Sequence, residues 1–331
     1  MIAATPPVRG EAAEMGIAAN FPNQPTGTEA SGCVSVVRTR PWCRRFAVAG
    51  RVGLSRIRLR STSRSVNRRS NVRQVLCAVW CSLLAATVQA AVQTQTIKYQ
   101  DGDQTCQGFL AWDDATTGPR PGVLVVHEWW GLNEYARERA RQLAALGYVA
   151  FAADMYGDGK TVTHPQDAGA MAAKVRMNVS AWRKRARAAL EVLQSQPQCD
   201  PQRIAAIGYC FGGSTVLQLA YSGADLKAVA TFHAALPVAT AEEAQRLRPR
   251  ILVCHGAEDK FIPQDAITAF RSALDKAGVK YEFVAYPGAV HSFTVPDADS
   301  HNLDGLKYNK EADEASWRKL LALFEETLRK P

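Results

Sequence analysis

The pattern of apolar and polar positions changes character near residue 91. From Val92 onward, short apolar or alternating runs are separated by longer segments with helical spacing. Gln95 to Gln100 and Gln107 to Trp112 read as an opening antiparallel pair of strands. Gly122 to His127 (GVLVVH) and Tyr148 to Ala153 are continuous apolar runs of strand length, and between them Glu134 to Leu146 predicts an amphipathic helix stopped by Gly147. A polar and helical excursion fills Tyr156 to Gln196. Ile204 to Ile207, Lys227 to His233, Arg250 to His255 and Tyr281 to Tyr286 then read as strands. Ser214 to Tyr221, Gln264 to Ala277 and Glu311 to Leu328 read as helices, the last carrying Trp317, Leu320, Leu321 and Phe324 on one face. Strands that are apolar throughout and alternate with helices imply an α/β fold, with a mostly parallel central sheet and helices on both faces. There is no internal repeat, and the only predicted domain boundary lies near residue 91.

Charge divides at the same place. The 331-residue chain has a formal net charge of +9, but residues 1–90 carry 13 of its 40 Lys and Arg against 3 of its 31 Asp and Glu, a net +10. The remainder is near neutral, which predicts no polyanionic partner such as nucleic acid. Residues 1–71 lack periodic apolar spacing and read as a disordered basic segment, or as an extension preceding the true translation start; a basic targeting or nucleic-acid-binding arm is the functional alternative. In residues 72–90 the layout is that of a signal peptide. Arg68, Arg69 and Arg73 precede an apolar run from Val75 to Val88, and small residues at Ala90 and Ala91 offer a cleavage site. That run is shorter than the roughly 20 residues a membrane-spanning helix needs. The expectation is a periplasmic or secreted protein with no stable membrane span after cleavage near Ala90. If the leader does not function, the protein is cytoplasmic, and a buried helix or an anchor is the competing reading of the run.

Of eight cysteines, Cys106, Cys199, Cys210 and Cys254 follow the leader. Cys106 and Cys199 lie in polar stretches at element edges, so in an oxidising compartment they form a disulfide or else remain unpaired surface thiols. No CxxC or zinc-type spacing occurs, and no metal or organic cofactor is expected.

The chemistry centres on Cys210. Gly208-Tyr209-Cys210-Phe211-Gly212-Gly213 joins a buried strand to a helix and is the cysteine form of the nucleophile elbow, G-x-S-x-G. Its glycines allow close approach of strand and helix, and a helix N-terminus favours a thiolate. The competing reading is a small buried apolar residue. A thiol nucleophile needs a histidine base oriented by a carboxylate. Asp259 stands in the loop after Arg250–His255, and His291 in the loop after Tyr281–Tyr286. The order nucleophile, acid, histidine belongs to the α/β-hydrolase fold. Glu258 is the competing orienting acid. His127, His233 and His255 are weaker candidates that line or support the pocket, and His127-Glu128 lacks the second histidine of the H-E-x-x-H zinc motif. Glu128 follows the first buried strand, at the mouth of the sheet, where it is placed to meet the thiol. The backbone N–H groups of Trp129 and Phe211 are the candidate oxyanion hole.

VVHEWWGLN, GYCFGG, HGAEDKFIP, PGAVHSF and YNKEADEASWRKLLALF together resemble the dienelactone hydrolases, or carboxymethylenebutenolidases, over roughly residues 93–329. The resemblance implies a triad of Cys210, His291 and Asp259, with Glu128 holding the resting thiol until substrate frees it. It implies attack on an ester or lactone, a thioester acyl-enzyme, and hydrolysis by water that His291 activates. Characterised members hold a substrate carboxylate with arginines, one just beyond the catalytic histidine; Ser292 to Pro296 supplies none, leaving Arg176, Arg183 and Arg185 as open alternatives. Dienelactone itself is therefore not the expected substrate. A bulkier or less acidic ester or lactone fits, with Trp129, Trp130, Tyr156 and His233 as pocket walls. A thioesterase or peptidase on the same triad, or a non-catalytic envelope binding module, are the alternative readings.

Overall fold

A computed structural model describes residues 92–328; the basic segment and the signal-like run lie outside the described residues. Eight strands form one sheet: β1 (Val92–Asp101), β2 (Gln104–Asp113), β3 (Arg120–Val126), β4 (Val149–Ala153), β5 (Cys199–Tyr209), β6 (Ala228–Phe232), β7 (Arg250–Gly256) and β8 (Tyr281–Tyr286). Their order is β1-β2-β4-β3-β5-β6-β7-β8. β1 pairs antiparallel with β2, and β2 antiparallel with β4; all other pairings are parallel. Seven α-helices accompany the sheet among the described residues: α1 (Glu134–Ala145), α2 (Pro165–Arg176), α3 (Val179–Gln194), α4 (Phe211–Tyr221), α5 (Ala241–Arg246), α6 (Gln264–Lys276) and α7 (Lys310–Thr327).

The apolar runs form strands because both of their faces find cover. Val123, Val125, Ala205, Ile207, Ala230 and Leu252 pack toward Ala136, Ala140 and Leu143 of α1 and Leu320, Leu323 and Phe324 of α7. Their neighbours Leu124, Val126, Ile204, Ala206, Val229 and Val253 pack on the other face, toward Trp182 and Leu193 of α3, Val216 and Leu217 of α4, and Phe270 of α6. Each buried Val, Leu, Ile or Phe contributes roughly 1.5–3 kcal/mol relative to leaving it in water, which outweighs the modest helix propensity of these segments. Asn133, Asn178 and Asn309 cap α1, α3 and α7 with side-chain oxygens, so each start coincides with a residue that satisfies an orphan N–H.

β5 lies centrally, between β3 and β6. The chain passes outward from β3 to β4 and returns through α2 and α3 to β5 on the other side of β3, so the sheet reverses its direction of winding there. Crevices at such switch points, beyond the carboxyl ends of parallel strands, are where open sheets place ligands.

The polar and helical excursion resolves into α2 and α3 as expected. The structure departs from the sequence expectations at three points. The short α5 was not foreseen. α4 begins at Phe211, directly after Cys210, because Gly212 and Gly213 sit inside its first turn rather than ahead of it. Cys106 and Cys199 are free thiols and both are buried, neither bridged nor on the surface. The strands of the opening pair are ten residues long each and carry Cys106 into the core, while Cys199 heads β5 against Gly122. No described helix is long and apolar enough to cross a membrane.

Candidate active site

Five strand ends converge on one cluster. Cys210 leaves β5, His127 and Glu128 leave β3, His233 leaves β6, Asp259 follows β7, and His291 follows β8. Cys210 is half-buried and holds φ 50°, ψ −113°, a conformation that costs a non-glycine residue roughly 1–3 kcal/mol. Its surroundings enforce the bend. A Cβ on Gly208 would stand 2.1 Å from the Gly212 carbonyl oxygen, and one on Gly212 would stand 2.2 Å from the Val126 carbonyl oxygen, so only glycine lets β5, α4 and β3 meet this closely. The Cys210 N–H donates to the Phe232 carbonyl at 3.0 Å, pinning the elbow to β6. His233 (φ 41°) and Ser292 (φ 54°) share the left-handed region, so three of the five such non-glycine residues among the described ones lie in this cluster.

His291 and Asp259 are brought together, with Nδ1 2.8 Å from Oδ2. The other Asp259 oxygen accepts the Phe261 N–H at 2.9 Å, which orients the carboxylate. Burial opposes a charge on His291, but Cys210 and Asp259 outweigh it and hold its pKa well above the ordinary value. Burial also opposes ionisation of Asp259, yet His291 and the Phe261 amide keep its pKa below the usual carboxylate value. The imidazole is thereby favoured as a cation between a sulfur and a carboxylate. Glu258, the competing acid, is exposed.

Glu128 is buried as expected, but its partner is not the thiol. Its Oε1 accepts the Ser292 hydroxyl at 2.9 Å, and burial raises its pKa to about 7 against the pull of His291. Among its electrostatic neighbours are His291 and Asp297, whereas Cys210 acts on His291. The expected resting contact between Glu128 and the thiol is replaced here by Glu128 with Ser292.

His233 is fully buried rather than a pocket wall. Its Nε2 lies 2.8 Å from the Thr294 hydroxyl, and burial together with the neighbouring His291 lowers its pKa, so the 3.6 Å approach of its Nδ1 to Glu128 is not an ion pair. Trp130 is likewise buried, stacked on His301 at 4.1 Å between centroids. Tyr156 is buried with its hydroxyl donating to the Trp129 carbonyl at 2.7 Å. These three back the site; of the half-buried residues near it, Phe261 packs against His291 with ring centroids 5.3 Å apart. Phe211 is held between Trp182 and Tyr156, each at 5.7 Å, which fixes the first turn of α4 under the nucleophile.

The structure separates the three arginines. Arg183 is engaged by Glu243 and Gln218, and Arg185 by Asp101 and the Met155 carbonyl. Arg176 reaches the site, its guanidinium 5.4 Å from the centre of the Phe211 ring.

Two supports were not read from the sequence. Asp154, at the end of β4, accepts the backbone N–H groups of Gln107, Tyr156, Gly157 and Gly159 and so shapes the loop that carries Tyr156. Arg139 donates to the Thr294 carbonyl at 2.9 Å and to Asp313 at 2.5 Å, tying the segment after His291 to α1 and α7. No group of side chains suited to a metal ion occurs among the described residues. The open groove of about 520 Å³ lined by Arg250, Arg271 and Lys280 lies at the amino ends of β7 and β8, away from this cluster.

Residues 106–328 match the model of the dienelactone hydrolase family. Protein usf of Aquifex pyrophilus is 26% identical over 241 residues, covering 71% of this chain and 99% of that protein. Two solved structures are similar over 72% of this chain and 100% of their own. One is a dienelactone hydrolase-like promiscuous phosphotriesterase from metagenomic libraries (40% identity, TM-score 0.70), the other is named m3DLH (45% identity, TM-score 0.71).

Proposed function

The chain belongs to the dienelactone hydrolase family of α/β-hydrolases, and on that premise we propose that it hydrolyses a carboxylic ester or lactone through a thioester on Cys210. The observation that carries this reading is His291, hydrogen-bonded to Asp259 at 2.8 Å, its pKa lifted against burial by Cys210 and Asp259 together. In the proposed cycle the Cys210 proton already rests on His291, and the thiolate sulfur attacks the carbonyl carbon. The carbonyl electrons move onto oxygen, where the N–H groups of Trp129 and Phe211 are the proposed donors. The C–O bond then breaks, and the leaving alkoxide takes the proton from His291. A water molecule, deprotonated by His291, attacks the thioester, and collapse releases the carboxylic acid and restores the thiolate beside the protonated His291. In a lactone the leaving alcohol remains tethered to the acid.

Arg176 beside Phe211 supports a substrate with a negative or π-electron-rich group near the acyl carbon. The relative described as a promiscuous phosphotriesterase supports including a phosphotriester in the assays. Export by the residue 72–90 leader, with cleavage near Ala90, is part of the same proposal.

The test is steady-state hydrolysis of p-nitrophenyl esters. Cys210→Ala should abolish turnover without altering the circular dichroism spectrum. Cys210→Ser should retain a small residual rate, because an alcohol is far harder to ionise than a thiol. Undiminished turnover by Cys210→Ala would exclude the mechanism.

A further inference from the structure

His127 takes no part in these proton transfers, yet both of its ring nitrogens are committed. It is the first residue after β3 and fully buried. Its Nε2 accepts the Met155 N–H at 3.2 Å, and its Nδ1 lies 2.5 Å from the Glu128 carbonyl oxygen. An amide facing one nitrogen and a carbonyl facing the other fix the tautomer, with the proton on Nδ1. Burial lowers the pKa to about 4, so near neutral pH the ring has this one N–H to give.

The Glu128 carbonyl belongs to the peptide unit whose N–H is that of Trp129. In a trans peptide the C=O and N–H point to opposite sides of the plane. The oxygen also accepts the Gly131 N–H, at a longer 3.4 Å; the shorter bond from His127 therefore does most to fix where the Trp129 N–H points, and polarisation along the amide strengthens it as a donor. The same imidazole lies 5.9 Å from the Phe211 ring and 5.0 Å from that of Tyr156, whose hydroxyl holds the carbonyl of Trp129. His127 thus touches the supports of both backbone donors.

We propose that His127 is a positioning residue for the oxyanion hole, aligning and polarising the peptide between Glu128 and Trp129 through its Nδ1–H bond to the Glu128 carbonyl. This rests on the hydrolase reading above. It also separates two reactions of the same sulfur. Alkylation by iodoacetamide needs the activated thiol and generates no oxyanion. Acylation by a p-nitrophenyl ester needs both.

The experiment compares the two rates in the full chain carrying His127→Phe, which keeps an aromatic ring but removes the donor, and His127→Asn, whose amide N–H reaches the place of Nδ1. With His127→Phe, acylation should fall roughly 10- to 100-fold, less than the loss of an entire oxyanion donor, while alkylation stays within about twofold of wild type. His127→Asn should acylate faster than His127→Phe although it lacks the ring. Equal acylation by wild type and His127→Phe would overturn the inference, as would parallel loss of both rates or a His127→Asn protein no faster than His127→Phe. A wild-type protein that is alkylated but never acylated would instead overturn the hydrolase reading on which the inference stands.

Discussion

Glu128 shows at the scale of one residue how burial sets a titration. It is buried beside the candidate base, and desolvation lifts its pKa from 4.5 to about 7. A carboxyl raised in the folded state holds its proton there at pH values where the unfolded chain has released it. The stability this contributes is complete below the unfolded value of 4.5 and is lost as pH rises through about 7. Relative to Glu128→Gln, which keeps an acceptor for the Ser292 hydroxyl, the wild-type protein should therefore lose on the order of 3 kcal/mol across that window. Urea unfolding at a series of pH values checks this, and parallel profiles for the two proteins would contradict it. That Glu128 is buried was legible from the aromatic residues around it. Its partner was not, because Ser292 lies 164 positions away and nothing in the pattern joins the two. The three members of the candidate triad were legible because each stands at the end of an apolar run, and strand ends of a parallel sheet converge.

Between elements, the less visible work is done by Arg139. It lies on α1 and bonds Asp313 on α7 and the Thr294 carbonyl, three positions after His291. Arg139 and Asp313 are both buried, so removing one charge strands the other away from water. Arg139→Met should cost roughly 3–5 kcal/mol of stability in urea, more than an exposed ion pair, whose loss typically costs about 1 kcal/mol or less. Loss of only the smaller amount would mean that the tie is not what joins these helices. Neither this contact nor the four amides gathered by Asp154 could be read from residue order. A charged residue on an amphipathic helix, or just after a strand, has the same local pattern whether it meets water or a buried partner. Cys106 and Cys199 misled for a related reason. Polar neighbours suggested exposure, but β1 and β2 run to ten residues and alternate faces, turning Cys106 into the core.

Across the whole molecule, the alternation of strands and helices was enough to predict the mostly parallel sheet and its two covered faces, since apolar runs of strand length separated by helices are the pattern of a parallel sheet buried on both sides. The sheet then serves as a frame that carries a sulfur, an imidazole and two carboxyls from four separate strands to one cluster. The near-neutral balance of residues 91–331 fits a small-molecule hydrolase better than a polyanion binder. The most direct test of the acyl-enzyme is intact-protein mass spectrometry on protein mixed with a p-nitrophenyl ester and quenched within the first turnovers. The expected result is one transient acyl adduct, on a protein whose mass corresponds to a chain beginning near Ala91, and no adduct on Cys210→Ala. Turnover by wild type without any adduct, or an adduct that persists in Cys210→Ala, would contradict it.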